Sequence, residues 1–446
     1  MTDWTPILSE STDLAARARE AMGAISQAVL TAEYPPALQR RRHRFYEESL
    51  LYGYLGLVSD DPQWIEHATL RLNGEIERAP ELRQHLSLYG GLCGLGWVIE
   101  HLSRALAEEP APPENGVPPA AADEPGDVNA DIDALVLFDL RQRPWIVYDL
   151  ISGLVGVGIY FLERLPRNTA KKGIRAVIDG IERLSESADP GIAWFTGPEL
   201  LPDWQRTLCP GGYYNLGVAH GIPGILFFLS EAIAAGVEEP RAGRLLEGGM
   251  RWLMAQQRAA GSLARFSSWL PSSESRGARL AWCYGDLGIL AVALQVARRA
   301  GRQDWSDFAH ALLDNCLSWP AEQAGAIDAP LCHGAVGIAH IFNRIYQSEG
   351  DVRCREAALK WYQTALDMRR PGEGVGGFLV AAKPDPSGPT VWEASPNFLD
   401  GSIGIALALL SALEPIAPDW DRLLLLSGRD WRAADRAEGP RTGDAI

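Results

Sequence analysis

Trp282-Cys283-Tyr284-Gly285-Asp286-Leu287-Gly288-Ile289-Leu290-Ala291-Val292-Ala293-Leu294 sets a Gly-x-x-Gly pair directly before a run that is apolar nearly all round. Such a run reads as a buried helix, because a half-exposed one would carry a polar face. The pattern recurs along the chain at Gly91–Gly94, Gly153–Gly156, Gly221–Gly224, Gly334–Gly337 and Gly401–Gly404, in steps of 62, 68, 64, 49 and 67 residues. Chance alone gives about four or five such pairs at a ~10% glycine frequency, and further copies at Gly53 and Gly374 show how weak the bare motif is. Context carries the signal: Ile225-Leu-Phe-Phe-Leu and Ile405-Ala-Leu-Ala-Leu-Leu follow two of the pairs, as Ile289-Leu-Ala-Val-Ala-Leu follows this one.

Between the apolar runs lie amphipathic stretches at 63–77, 170–186, 241–258, 304–318 and 352–368, with apolar residues at helical spacing and one charged face. Buried and half-exposed helices in alternation are what a ring of helical hairpins requires, and self-similarity of this kind is a fold signature. An early pair, 11–30 and 44–57, brings the inner helices to seven. The expected fold is all-α: an α/α toroid of about seven inner and seven outer helices in one domain over 1–427. Glycine at the mouth of the ring lets inner helices start close together. The Pro-, Ala- and acid-rich segment 107–128 is expected to be a flexible surface insertion, and 428–446 a disordered tail. Long connections at 187–219, 259–281 and 370–399 precede three inner helices, and loops of that length often carry function.

Composition narrows the class. The chain has 446 residues, 47% hydrophobic and 22% charged, and a formal charge of −16. Such acidity argues against nonspecific nucleic-acid binding, which needs a basic surface. No apolar run approaches the ~20 residues of a membrane span. The N-terminus shows no signal peptide. The six cysteines are too sparse for a disulfide framework, so a cytoplasmic protein with a metal site is the better reading.

The chemistry stands just ahead of the glycines. Cys283 and Tyr284 precede Gly285, with Arg279 four residues before Cys283; Cys332 and His333 precede Gly334; His220 precedes Gly221; Asp149 lies four before Gly153; Asp400 precedes Gly401. If the ring forms, these residues meet at one mouth, and convergence of that kind marks an active site. Two thiolates and an imidazole suit one zinc ion per chain, with no obvious fourth protein ligand, as in catalytic zinc sites. Each residue also has a plainer reading. Cysteines are commonly just buried, and His220 alone would be a hydrogen-bonded structural histidine. Asp149 is either a helix cap or the partner that orients His220. Asp400 reads as an N-cap and His340 as core. Cys93, Cys209, Cys316 and Cys354 lack ligand-like registration.

Tyr-Asp149-Leu-x-x-Gly, Asn215-Leu-Gly-Val-Ala-His220-Gly-Ile-Pro-Gly, Trp282-Cys283-Tyr284-Gly285 and Cys332-His333-Gly334 together resemble the lanthionine synthetase C family, the lanthipeptide cyclases, from about Gly91 to Leu413. The resemblance implies the double helical ring with zinc at one end, held by Cys283, Cys332, His333 and a water. It implies functional positions at His220, Asp149, Arg279 and Tyr284. It further implies a stand-alone enzyme acting on a dehydrated precursor peptide, leader plus core, beside a separate dehydratase and an exporter. Expected chemistry is addition of a cysteine thiol to dehydroalanine or dehydrobutyrine, closing a thioether ring. Two alternatives stand beside it: zinc-dependent addition of a small thiol such as glutathione to an activated acceptor, and a non-catalytic peptide-binding scaffold with structural zinc.

Overall fold

The first N–H groups of a helix have no partner within it. In this computed structural model, which describes residues 4–8, 12–31, 45–107, 126–259, 261–271, 278–383 and 388–429, the chain supplies that partner by doubling back before the helix. Leu92 N–H donates to the His85 carbonyl at 2.8 Å, Leu154 to Val147 at 3.1 Å, Ala335 to Asp328 at 2.9 Å and Ser402 to Ser395 at 3.0 Å. The donor always follows the first glycine, and the acceptor stands six residues before that glycine. This return path explains the motif. A Cβ on Gly288 would lie 2.1 Å from the Trp282 carbonyl oxygen. Gly285, at φ 112°, would place one 1.8 Å from the Arg279 carbonyl oxygen. The sequence suggested that glycine served the approach of neighbouring helices; the tighter contact is with the helix's own preceding turn. Gly53 and Gly56, by contrast, lie in mid-helix.

Among the described residues the inner helices are α2 (Phe45–Val58), α4 (Leu92–Ala105), α6 (Leu154–Glu163), α9 (Ile222–Ala234), α11 (Asp286–Ala300), α13 (Ala335–Glu349) and α15 (Ser402–Leu413). The outer helices are α1 (Thr12–Thr31), α3 (Gln63–Arg78), α5 (Ala130–Gln142), α7 (Asn168–Leu184), α10 (Glu239–Ala255), α12 (Gln303–Leu317) and α14 (Val352–Asp367). Inner helices are buried on all sides, as Ile222 through Ala232 are in α9. Outer helices bury one stripe, as α7 does with Ile174, Val177, Ile178 and Ile181. Each inner helix packs on the next, and α15 returns to α2, so the inner ring closes. The outer helix α1 packs on α15. The expected α/α toroid is therefore what forms. Helix α5 was not foreseen.

The loops at one end of the ring are joined by backbone hydrogen bonds. Tyr89 N–H donates to Ile151, Leu150 to Ala219, Ala219 to Cys283, Cys283 to Cys332 and Cys332 to Leu399, over 2.8–3.5 Å. The residues just ahead of the glycines thus form a linked series of six backbone loops at one mouth.

The three long connections hold short strands that the sequence did not announce. β1 (Ser185–Ala188), β2 (Gly191–Thr196), β3 (Tyr213–Asn215) and β4 (Trp269–Leu270) form one antiparallel sheet in that order, with the short helix α8 (Asp203–Leu208) between β2 and β3. β5 (Val380–Ala382) and β6 (Val391–Glu393) make a hairpin. The sheet packs on α10 through β2.

The ring is filled by a late segment of the chain. Trp420 is fully buried, stacked on His340 with centroids 4.8 Å apart. Asp421 bonds to His340 and Arg344, and Arg422 to His101 and Glu163. Leu423 and Leu424 offer carbonyls to Tyr89 and Trp282. Arg429 then reaches back to the carbonyls of Leu162, Glu163 and Leu165. A segment that touches α4, α6 and α13, and the loops before α4 and α11, must occupy the lumen. Arg429 lies just past the boundary at 427 expected for the domain. Of the expected insertion over 107–128, residues 108–125 lie outside the described residues, as do residues 430–446 of the expected tail over 428–446. No helix among the described residues is long and apolar enough to cross a membrane.

Candidate active site

The linked series of loops brings the sequence-selected residues together. Cys283, Cys332 and His333 form one cluster, with one ligand atom from each lying within 4.8 Å of the others. Cys283 is buried, and Cys332 and His333 are partly buried. Among the described residues this is the one His/Cys/carboxylate group of that kind, and Cys93, Cys209, Cys316 and Cys354 are buried apart from it. The spacing suits a tetrahedral ion bound at about 2.0–2.3 Å, and the donors are soft sulfur and imidazole. The Cys283 thiol is pulled well below its ordinary range: the hydrogen bond from Cys332 outweighs burial, and His333 and Arg279 add to the pull. Cys332 is pushed up in turn by that neighbouring negative sulfur and by burial.

Arg279 joins this cluster to a cleft of about 760 Å³: it lines the cleft, and its Nη2 donates to Cys283 Sγ at 3.8 Å. His220, Asp149 and Tyr284 line the same cleft. Asp149 Oδ2 meets His220 Nδ1 at 2.6 Å, while Oδ1 accepts the Ser152 N–H at 2.7 Å. The sequence left capping and orienting as alternatives; Asp149 meets His220 and closes a turn on Ser152, and the capping residue of α6 is Gly153. Burial pushes the His220 imidazole down, but the hydrogen bond and charge of Asp149, with Cys283 beyond, raise it above 6.5. Tyr284 lies with its ring centroid 6.4 Å from that of His220, and its hydroxyl accepts from Asn215 Nδ2 at 3.2 Å. Burial raises the Tyr284 pKa, so the phenol keeps its proton.

Two expectations about neighbouring residues resolve differently. Asp400 is not the cap of α15, which is Gly401; Asp400 Oδ1 accepts instead from Asn397 Nδ2 at 3.0 Å, because the returning loop already satisfies the helix. His340 is core, fully buried and bonded through Nε2 to Asp421 at 2.9 Å.

Sequence reasoning missed Asp328 and undervalued Asn215. Asp328 is buried, with Oδ2 3.8 Å from His333 Nε2 and 2.9 Å from the Ala381 N–H that it accepts. Its Oδ1 takes no hydrogen bond. A carboxylate beside a ligand imidazole is a common means of fixing that ring. Both residues stand six before a first glycine, the same register as Arg279, so the signal was present as a position.

A double ring of helices with a Cys/Cys/His cluster at the mouth of the inner ring defines a narrow class of protein. The sequence profile of the family described as "Lanthionine synthetase C-like protein" matches residues 49–425. The chain belongs to that family. Among solved structures it is similar to "Nisin cyclase", at 17% sequence identity and a TM-score of 0.68, over 92% of this chain and 97% of that one. No curated protein sequence matches it significantly.

Proposed function

We propose that the protein is a zinc-dependent lanthipeptide cyclase, closing (methyl)lanthionine rings by addition of a cysteine thiol to a dehydrated residue of the same peptide. The observation that carries this reading is the Cys283/Cys332/His333 cluster joined by Arg279 to a cleft that also holds the His220–Asp149 pair. The donor set fits zinc: two sulfurs and one imidazole leave one position for a substrate sulfur. Zinc in that place would supply Lewis acidity that favours the thiolate over the thiol, whose ordinary pKa is about 8.5.

The remaining steps fall to the chain's own residues. Asp149 holds His220 Nδ1, which leaves Nε2 as the atom that takes the thiol proton. The sulfur pair then forms the S–Cβ bond while the π pair of the dehydro residue moves toward its carbonyl oxygen. In this reading Arg279 and the protonated Tyr284 hydroxyl, which both line the cleft, stabilise that developing negative charge. The proton taken at the start balances the one added at Cα, so the product has the mass of the reactant. The cleft walls keep both ends of the peptide together, which converts the reaction into an intramolecular one.

The test is a count of free thiols by alkylation before and after incubation with a dehydrated precursor peptide. Each ring closed removes one alkylation adduct at constant peptide mass. A chelator stops that loss. Thiols that persist with the peptide but disappear with glutathione and an activated acceptor would move the assignment to small-thiol addition.

A further inference from the structure

The cleft extends beyond the groups that the cyclase reading uses. Its charged lining residues, Asp149, His220 and Arg279, belong to the proposed chemistry with Tyr284, and the rest of the wall includes Ile146, Leu200, Leu201, Pro202, Trp204 and Trp269. Trp204 is 42% exposed and Ile146 55%. Leu208, four residues after Trp204 in α8, is 57% exposed. The wall is an aromatic series. Trp269 meets Tyr284 edge-on at 6.3 Å between centroids, stacks on Tyr213 at 5.7 Å and meets Trp204 edge-on at 6.5 Å. None of these wall residues lies in the helices of the two rings; they come from the sheet β1–β4, α8 and the connections around them. Exposed apolar side chains grouped on a loop scaffold beside a reaction site mark a surface that something covers.

We propose that this outer half of the cleft is a subsite for one apolar, preferentially aromatic, side chain of the substrate peptide. The inference rests on the cyclase reading and adds to it a residue preference. Distance sets the position. The two ring separations place Trp204 at most ~13 Å from Tyr284, and an extended peptide rising ~3.3 Å per residue covers that in three to four residues. The recognised side chain therefore stands within about four residues of the peptide residues reacting at Tyr284. Trp204 stacks on it, and the rigid Trp269–Tyr213 pair behind sets the plane. An acidic or basic residue at the same place would lose its hydration against a wall with no opposite charge.

The test uses metal-loaded protein and short capped peptides, with binding measured by calorimetry under reducing conditions. One set carries Cys and, three residues before or after it, Phe; the matched set carries Asp in place of Phe. A Phe peptide in at least one orientation binds tenfold or more tighter than its Asp counterpart. W204S, at a half-exposed position, lowers the affinity of that Phe peptide to the level of the Asp peptide while the melting temperature stays close to that of the parent. Equal affinity for both peptides, no binding of either Phe peptide, or an unchanged preference in W204S overturns the subsite. A further Phe peptide with Ser in place of Cys separates the two ideas. Binding as tight as that of the Cys peptide counts against thiol capture and the cyclase reading, yet leaves the preference for Phe over Asp standing.

Discussion

The proposed mechanism gives His220 and Cys332 separable jobs, and single substitutions should separate them. His220→Ala would remove the proposed proton acceptor but no member of the Cys283/Cys332/His333 cluster. It should retain metal by elemental analysis while cyclisation slows by about 10²–10⁴-fold, the usual worth of a general acid–base group. Asp149→Asn keeps a hydrogen-bonding partner for Nδ1 and should cost less. Cys332→Ala should lose the metal itself; full metal occupancy in that variant would remove Cys332 from the ligand set. At this scale much was legible. Residues at short offsets before a glycine face one mouth because the loops double back there, four of them through the same six-residue return. Asp328 was hidden for another reason: nothing in the sequence says that the residue six before Gly334 would be buried against His333. Asn215 was visible in its motif, but its bond to Tyr284 depends on β3, which the sequence did not reveal.

Elements depend on contacts that sequence spacing cannot show. Helix α5 escaped notice because its buried face includes Asp133, paired with Arg164, while Phe138 on the same helix is 61% exposed. An apolar periodicity count scores both residues the wrong way. The glycine loops are different, since their cause is local. Gly285→Ala should destabilise the fold by about 1–3 kcal/mol, because it sets a Cβ against the Arg279 carbonyl in a backbone conformation that disfavours side chains. Chemical denaturation would read this, and an unchanged midpoint would contradict the return-loop account. The lumen segment has its own signature. Burial alone would raise the Asp421 carboxyl, but the Arg344 charge and the His340 hydrogen bond hold it down at about 2. A depressed carboxylate stabilises the fold above its unfolded value of 3.8, and that stability is lost as pH falls toward 2. Asp421→Asn should therefore cost about 3–5 kcal/mol near neutral pH, the usual cost of breaking a buried pair. The gap in melting temperature between the variant and its parent should narrow as pH falls from 4 toward 2.

For the whole molecule, the apolar core runs through both rings, and the metal cluster touches only three side chains at one end. Chelation should leave the helical circular-dichroism signal intact and shift the melting temperature by a few degrees at most, unlike a zinc finger, which unfolds without metal. A collapse of the helical signal on chelation would make the metal structural. The toroid was legible because alternating buried and half-buried helices leave few other ways to close. The filling of its centre was not, because the partners Asp421 and His340 are 81 residues apart in the chain. That filling has a consequence for biosynthesis. Residues 420–429 emerge from the ribosome after every helix of both rings has been made. Until then Glu163 lacks Arg422, and the Trp282 indole, next to Cys283, lacks the Leu424 carbonyl. A chain halted before residue 417 would hold the fifteen described helices around an unfilled centre, and its ring would finish folding only when residues 417–429 take their place. Residues 420–429 are, in this sense, the keystone of the ring.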